Sequence, residues 1–122
     1  MLQTVVLLHS TPDGGHHFDW MVEQPTPGIE HRLMTWRCGQ SPAEWGWDGR
    51  CERIEMHREA YLHYEGAISG GRGSVRRIAR GEVLEQRLTA EDVDLSIRWG
   101  ERTIRYRGWK ESGKSRWIFC LE

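Results

Sequence analysis

The chain contains little cysteine and no long run of apolar residues. Its three cysteines, Cys38, Cys51 and Cys120, are odd in number and form no C-x-x-C pair, which argues against a disulfide scaffold and against a zinc knuckle. The apolar run near the N-terminus, residues 5–8, is too short for a signal peptide or a membrane span. We therefore expect a soluble, cytoplasmic domain that does not engage a membrane.

The net charge is also small, at −1, but the charges are unevenly distributed. Residues 1–71 carry five basic and ten acidic side chains, whereas residues 72–117 carry twelve basic and seven acidic ones. Such an asymmetry is compatible with a nucleic-acid surface beside an acidic or metal-holding surface. A sheet that interleaves strands from both halves would mix these charges, and charge alone favours that second interpretation.

Short alternating runs dominate the sequence, and helical periodicity is weak. The runs predict strands near residues 4–9, 17–23, 31–37, 50–57, 73–79, 82–87, 93–99, 102–107 and 115–121. Turn chemistry separates them at residues 12–15, 25–28, 70–73, 80–81, 100–101 and 111–113. Residues 41–44 and 89–92 are the candidates for single helical turns, the second with Thr89 as N-cap.

This pattern predicts one domain over residues 1–122, built as a small closed or nearly closed antiparallel β-barrel. We expect about eight strands and at most one or two short helical turns. Seven tryptophans supply large apolar surfaces for its core.

Period-two alternation predicts a core face and an ionisable face in two of the strands. In residues 17–23 the core face carries Phe18, Trp20 and Val22, and the opposite face carries His17, Asp19, Met21 and Glu23. In residues 51–57 the core face would carry Ile54 and Met56, opposite Arg53, Glu55 and His57. The barrel would then have one chemically active wall.

His17 and Asp19 form a candidate metal-ligand pair on that wall. Two residues on one strand face lie about 6.5–7 Å apart along the strand, a spacing that suits one shared ion. His9 ends the preceding strand and can fold back as a third ligand. Two histidines and one carboxylate with open positions suit Mn, Fe or Zn. The alternative is a polar loop that binds nothing, because the His-x-Asp spacing alone is a weak signal.

His57 and Tyr61 form a second group, with Glu55 on the same predicted face as His57. An imidazole near a metal-bound phosphate donates a proton to a leaving oxygen or binds the phosphate as a cation, and a phenol hydrogen-bonds the same oxygens. The alternative is a histidine hydrogen-bonded by Glu55 and a tyrosine packed in the core.

The stretch YEGAISGGRGSVRRIARGEV, residues 64–83, is a glycine-rich turn that leads into a basic strand. Its backbone amides and arginines are able to engage phosphates, but it lacks the ending of a P-loop. A tight barrel corner with exposed arginines is the favoured interpretation. Aromatic rings also alternate with arginines nearby and would either stack on bases or form core; they are Trp99, Tyr106, Trp109 and Trp117.

Four segments together resemble one known family. HHFDWMVE looks like that family's His-Tyr-Asp strand, with His17 and Asp19 on its two metal-ligand positions. The segment that begins IEMHREAYLHYEG matches the family's spacing at Glu55, His57, Tyr61, Glu65 and Gly66. TWRCGQSP resembles its basic turn, with Arg37 at the basic position, and SRWIFCLE its closing strand. The family is the 3'-phosphoesterase domain of bacterial ATP-dependent DNA ligase D proteins, which also has stand-alone relatives.

The resemblance implies a small β-barrel that uses Mn²⁺, with Zn or Co as alternatives, to trim 3' ends of DNA. Such domains remove a 3'-terminal ribonucleoside and then the remaining 3'-phosphate. By resemblance, the metal ligands are His9, His17 and Asp19. The residues implied at the scissile phosphate are His57 and Tyr61 in contact, Glu55 orienting, and Arg37 and Arg50 supplying positive charge. DNA or RNA/DNA 3' ends are the implied partners, together with a DNA ligase or other repair factors.

The chain departs from the family pattern at several positions. Met21 stands where the family has an arginine, and Leu7 where it has a glutamine. His9 precedes His17 by a longer turn, and Arg50 aligns only within one residue. These departures favour a rival interpretation, a catalytically attenuated barrel that binds nucleic acid or a partner. A structural barrel without a metal is the third.

Overall fold

The computed structural model describes residues 1–25, 32–111, 113 and 115–122. Nine strands account for most of these residues, and the strands are β1 (Gln3–Ser10), β2 (His16–Glu23), β3 (Leu33–Cys38), β4 (Arg50–His57), β5 (Gly66–Ala67), β6 (Ser74–Leu88), β7 (Asp92–Trp99), β8 (Arg102–Lys110) and β9 (Arg116–Leu121). A short 3-10 helix, Glu59–Leu62, follows β4. In the part of the chain thus described, we find no helix with the length and apolarity to cross a bilayer.

The strands form a closed antiparallel barrel, as the sequence predicts. Eight strands follow one another in the order β1-β2-β3-β4-β9-β8-β7-β6, and β6 pairs back with β1. The two-residue strand β5 lies beyond this ring, paired with the start of β6. Closure leaves the eight wall strands without free edges.

The acidic first half and the basic second half of the chain form separate parts of the barrel wall. The strands β1 to β4 lie side by side, and β6 to β9 complete the ring, so strands from the two halves of the chain do not interleave. The interleaving favoured from charge alone is therefore wrong. Several arginines of the second half form ion pairs with an acidic residue of the same half. The guanidinium groups of Arg87, Arg105 and Arg107 lie 3.3–3.7 Å from the Asp94 carboxylate.

The turn predicted at residues 80–81 is wrong. Strand β6 runs through it and exchanges partners there, because Thr4 of β1 lies opposite Gly81 while Arg98 of β7 lies opposite Glu82. A Cβ on Gly81 would lie 2.8 Å from the Arg98 carbonyl oxygen. Glycine is needed here for close strand approach, not for a reversal of the chain.

Both predicted helical turns are also wrong. Residues 41–44 form a turn in which the Ala43 amide donates to Ser41 Oγ at 3.3 Å. Residues 89–92 close the β6–β7 hairpin, where the amides of Glu91 and Asp92 donate to Thr89 Oγ1. Thr89 thus caps a hairpin turn. The predicted turn at 25–28, His31 in the predicted strand 31–37, and Ser112 in the turn at 111–113 lie wholly or partly outside the described residues.

The barrel interior is an aromatic core, which we call the inner cluster. Trp20 lies at its centre, 5.2 Å from Trp36 and 4.8 Å from Tyr106 between ring centroids. Its other large members are Trp47, Trp99, Trp117 and Phe119. Three of the four rings considered for base stacking are therefore core, and Trp109 is the exposed one, at 45%.

The faces predicted for residues 17–23 are confirmed. Trp20 and Val22 join the inner cluster and Phe18 packs against it. Met21, on the opposite face, belongs to a second apolar group outside the barrel, which we call the outer cluster. Its members are Val5, Leu7, Met21, Leu33, Leu62 and Val75, with Tyr61 and Ile68 packed against them.

The faces predicted for residues 51–57 are wrong. Cys51 is the residue of this strand that enters the inner cluster. A register shift in the β3–β4 ladder sets Ile54 opposite Thr35 and His57 opposite Leu33, so the interval is three residues on β4 and two on β3. This β-bulge brings Ile54 and His57 to the outer face together, which strict alternation forbids.

Candidate metal centre and cleft

Three predicted ligands converge on the outer face of the β1–β2 hairpin. His9 and His17 are direct cross-strand partners, and Asp19 lies two residues further along β2. His9 Nδ1 is 3.0 Å from His17 Nε2, which is 3.2 Å from Asp19 Oδ1, and His9 Nδ1 is 3.6 Å from Asp19 Oδ2. The antiparallel register therefore supplies the third ligand that the sequence could place only by a fold-back.

The second nitrogen of His9 fixes the orientation of its ring. His9 Nε2 lies 2.8 Å from the Arg72 carbonyl oxygen. A carbonyl only accepts hydrogen bonds, so Nε2 carries the proton and Nδ1 presents its lone pair to His17 and Asp19. A backbone carbonyl on the far nitrogen is the usual partner of a metal-ligating histidine.

The glycine-rich turn holds that carbonyl in place. Gly73 has φ +95°, and a Cβ there would lie 1.9 Å from the Ser10 carbonyl oxygen, so glycine lets the turn pass directly over the end of β1. The Arg72 guanidinium donates back to the Ser69 carbonyl at 2.8 Å. This segment is the tight corner favoured from its sequence, and it positions His9.

Asp19 is the clearest sign that a cation belongs here. The residue is only 4% exposed, and its buried Oδ1 has no hydrogen-bond partner among the described residues. The imidazole nitrogens of His17 and His9, at 3.2 and 3.6 Å, balance its charge only when those rings are protonated, and a buried carboxylate beside neutral imidazoles is costly. A divalent ion beside Asp19 and two imidazoles would remove that cost.

The donor set also fits a metal in spacing and protonation. Ligand atoms about 2.1 Å from one ion, at angles of roughly 90–110°, lie about 3.0–3.4 Å apart. The separations of His17 Nε2 from His9 Nδ1 and from Asp19 Oδ1, 3.0 and 3.2 Å, lie in that range. Burial lowers the pKa of His17; Asp19 raises it, while Arg37 and His9 lower it. The net pKa lies below its ordinary value, which favours the neutral imidazole that a metal requires.

His57 lies at the end of β4, with its ring held by two oxygens. Its Nδ1 is 3.0 Å from both Thr35 Oγ1 and the Glu55 carbonyl oxygen. Because that carbonyl only accepts, Nδ1 carries the proton and Nε2 is left for other contacts. Burial lowers the pKa of His57, and the Asp19 charge opposes this shift.

Thr35 is a site residue that the sequence analysis missed. It is fully buried, and its hydroxyl donates to the Leu33 carbonyl at 3.0 Å, which orients the oxygen that faces His57. A signal for it exists in the sequence. Thr35 is a polar residue in an otherwise apolar strand and precedes Arg37 by two positions, on the same face.

The other predicted catalytic residues have different relations to His57. The Tyr61 ring packs edge-on to it, with centroids 5.6 Å apart. The backbone of Glu55, rather than its exposed carboxylate, holds the His57 ring. Arg37 lies directly opposite Asp19 across β2–β3.

Arg50 is not brought to this group. It lies at the start of β4, opposite Ile118 of β9, and its amide donates to Asp48 Oδ1 at 3.0 Å. It precedes Glu52, the partner of Arg37, by two residues on β4 and does not line the cleft described next.

An open cleft of about 950 Å³ connects most of these residues. Its polar lining comes from His9, Asp19, Arg37, Glu55, His57, Arg58, Ser69 and Arg72. Its apolar and aromatic lining comes from Met21, Ile54, Met56, Ala60, Tyr61, Tyr64, Ala67, Ile68 and Val75. Met21, at the position where the resemblance expects arginine, is a buried floor residue.

No family model matches the chain, and no curated protein matches it either. The resemblance to 3'-phosphoesterase domains therefore stays a prediction from the residues, and the geometry of the cleft carries the functional argument.

Proposed function

We propose that the protein is a metal-dependent phosphoesterase that trims 3'-ribonucleoside or 3'-phosphate ends of nucleic acid. One observation carries the proposal: the buried Asp19 carboxylate, with an unpartnered oxygen beside two histidines, shares a cleft with His57 and Arg37. A divalent metal, Mn²⁺ first among the candidates, would be held by His9, His17 and Asp19. Action in DNA end repair beside a ligase belongs to the same proposal.

A divalent ion bound there would neutralise charge on phosphoryl oxygens and polarise a water molecule. Arg37 contributes a second positive charge beside the ligand set, and the Tyr61 hydroxyl is available as a hydrogen-bond donor to a phosphate oxygen.

His57 is suited to the proton transfers of ester hydrolysis. With Nδ1–H held by Thr35 and the Glu55 carbonyl, the neutral ring offers Nε2 as the accepting atom. The oxygen of the attacking water bonds to phosphorus and its proton passes to Nε2. The ester P–O bond then breaks, and the leaving oxygen takes a proton from the imidazolium.

The direct test is incubation with Mn²⁺ and a primer-template that ends in a ribonucleotide or a 3'-phosphate. We expect 3'-end trimming that is lost in His17→Ala and Asp19→Asn and retained in His63→Ala. His63 is the matched control because it is exposed and lies outside the cleft lining. Trimming that persists in Asp19→Asn, or none in the well-folded wild type, would contradict the proposal.

The apolar floor supports a second candidate, a non-catalytic module that binds nucleic acid. Met21 and Leu7 are fully or almost fully buried and offer no hydrogen bond to a phosphate. Such a module would bind DNA with steep salt dependence and would keep that affinity in His17→Ala. End trimming by the wild type would reject it.

A further inference from the structure

The cleft has two chemically different halves. Its polar half is lined by two of the candidate metal ligands and by other polar side chains: His9, Asp19, Arg37, Glu55, His57, Arg58, Ser69 and Arg72. Its apolar half is lined by Met21, Ile54, Met56, Ile68 and Val75 and by the rings of Tyr61 and Tyr64. The floor of the apolar half is continuous with the outer cluster, since Met21 and Val75 belong to both. A ligand that fills the cleft must therefore carry a charged part and an apolar part.

Of the two direct cross-strand partners of Asp19, only one is charged. Across β2–β3 its partner is Arg37, but across β1–β2 its partner is Leu7. The next residue on the same face of β2 is Met21, about 6.5–7 Å away. Both Leu7 and Met21 are at most 1% exposed. An anionic oxygen placed against Leu7 or Met21 would lose water without gaining a donor from either side chain, which is unfavourable.

We propose that the cleft selects a phosphodiester monoanion that carries an aromatic ring, with the ring in the apolar half, over a dianionic phosphomonoester. The inference rests on the proposed function and specifies its substrate class. A volume of about 950 Å³ accommodates a phosphate with a ring attached. On nucleic acid, a 3'-ribonucleoside joined by a diester would be removed faster than a terminal 3'-phosphate.

Calorimetric binding to the Mn²⁺-loaded protein tests this preference apart from catalysis. The probes are diphenyl phosphate, dimethyl phosphate, phenyl phosphate and inorganic phosphate. Diphenyl phosphate alone combines one negative charge with rings, so we expect it to bind about tenfold more tightly than each of the others. Equal or tighter binding of phenyl phosphate, or no binding of diphenyl phosphate, would overturn the inference.

Variants of the apolar half locate the effect. Met21→Arg should reverse the preference toward phenyl phosphate, whereas Met21→Leu should leave it unchanged. Met56→Ser should weaken diphenyl phosphate severalfold without changing dimethyl phosphate. Leu84→Ser is its matched control, because Leu84 and Met56 are each 37% exposed and only Met56 lines the cleft. If Met21→Arg does not fold, the comparison of Met56→Ser with Leu84→Ser tests the inference. Equal effects of these two variants on diphenyl phosphate binding would reject it.

Hydrolysis assays separate this inference from the proposed function. We expect bis(p-nitrophenyl) phosphate to be hydrolysed at least tenfold faster than p-nitrophenyl phosphate. Failure to hydrolyse either, with tight diphenyl phosphate binding intact, would contradict catalysis and support the binding preference. Hydrolysis of both esters at equal rates would support the phosphoesterase and overturn the preference.

Discussion

The inner cluster and the candidate metal centre lie on opposite faces of the same two strands, β1 and β2, and differ in how their buried polar groups are satisfied. Inside the barrel, the Trp20 indole N–H donates to Thr4 Oγ1 at 2.9 Å, and that hydroxyl donates to the Met21 carbonyl at 2.7 Å. On the outer face, the Asp19 Oδ1 atom is buried without a hydrogen-bond partner among the described residues. Around Trp20 the interior satisfies its polar groups within the chain, whereas the outer face carries a buried carboxylate beside two histidines.

The exceptions inside the barrel sharpen this contrast. The indole nitrogens of Trp36 and Trp47 also lack partners among the described residues. They are neutral donors, so each costs far less than an uncompensated carboxylate. Inner residues should therefore control the free energy of unfolding, and outer residues should control metal binding and catalysis.

The largest expected effect comes from the centre of the inner cluster. Trp20→Ala should lower the free energy of unfolding by about 3–5 kcal/mol, because it removes a fully buried ring that packs against several others. Urea denaturation followed by circular dichroism measures this. A loss below about 1 kcal/mol would contradict the packing described here.

Asp19→Asn, unlike Trp20→Ala, should abolish metal binding without lowering the stability of the metal-free protein. The amide removes a buried charge whose nearest partners are two histidines, so the metal-free protein should be at least as stable as the wild type at a pH where those histidines are neutral. The rise in Tm that Mn²⁺ gives the wild type should disappear, since a ligand at 100 times its Kd contributes about 2.7 kcal/mol. Thermal unfolding with and without Mn²⁺ measures both effects. An unchanged metal-induced shift in the variant would reject Asp19 as a ligand.

Thr35→Val should affect catalysis without affecting the metal. Valine keeps the shape of threonine but removes the oxygen that faces His57 Nδ1, so we expect kcat to fall about tenfold while the Mn²⁺-induced Tm shift stays unchanged. Thr35→Ser should restore most of the activity. A lost metal shift in Thr35→Val, or no rescue by serine, would indicate a structural role instead.

The two predicted arginines should give the smallest effects and differ from each other. Arg37→Ala should raise KM severalfold, because Arg37 lies beside Asp19 in the cleft. Arg50→Ala should stay within about twofold of the wild type, since its exposed side chain lies outside the cleft lining. Steady-state kinetics on the ribonucleotide-ended substrate compares the KM values of the two variants. Equal increases in KM would support the predicted role of Arg50 at the phosphate.

The strand pattern could be predicted because alternation is local. The inward side chains of β2 and the shared face of His17 and Asp19 follow from pleat geometry in eight successive residues. The closed barrel also followed, since many short strands with closely spaced turns leave few other ways to remove free edges.

Positions that depend on packing between distant segments could not be predicted in this way. The bulge that turns His57 and Ile54 to one face depends on how β4 fits β3. The long strand β6 depends on a close approach between Gly81 and β7. Neither the bulge nor the continuous strand produces a periodic signal in the sequence. A glycine predicts a turn when the residues packed against it are unknown.

By itself, the sequence determined that His17 and Asp19 share a strand face and that Met21 lies beside them. The tertiary structure decided that His9 lies within 3.6 Å of the other two candidate ligands, that Thr35 and the Glu55 carbonyl hold His57, and that Arg50 lies outside the cleft lining. The physical reason is that alternation fixes directions along one strand. Register, bulges and the path of the Gly73 turn fix distances between strands, and ligands are defined by distance.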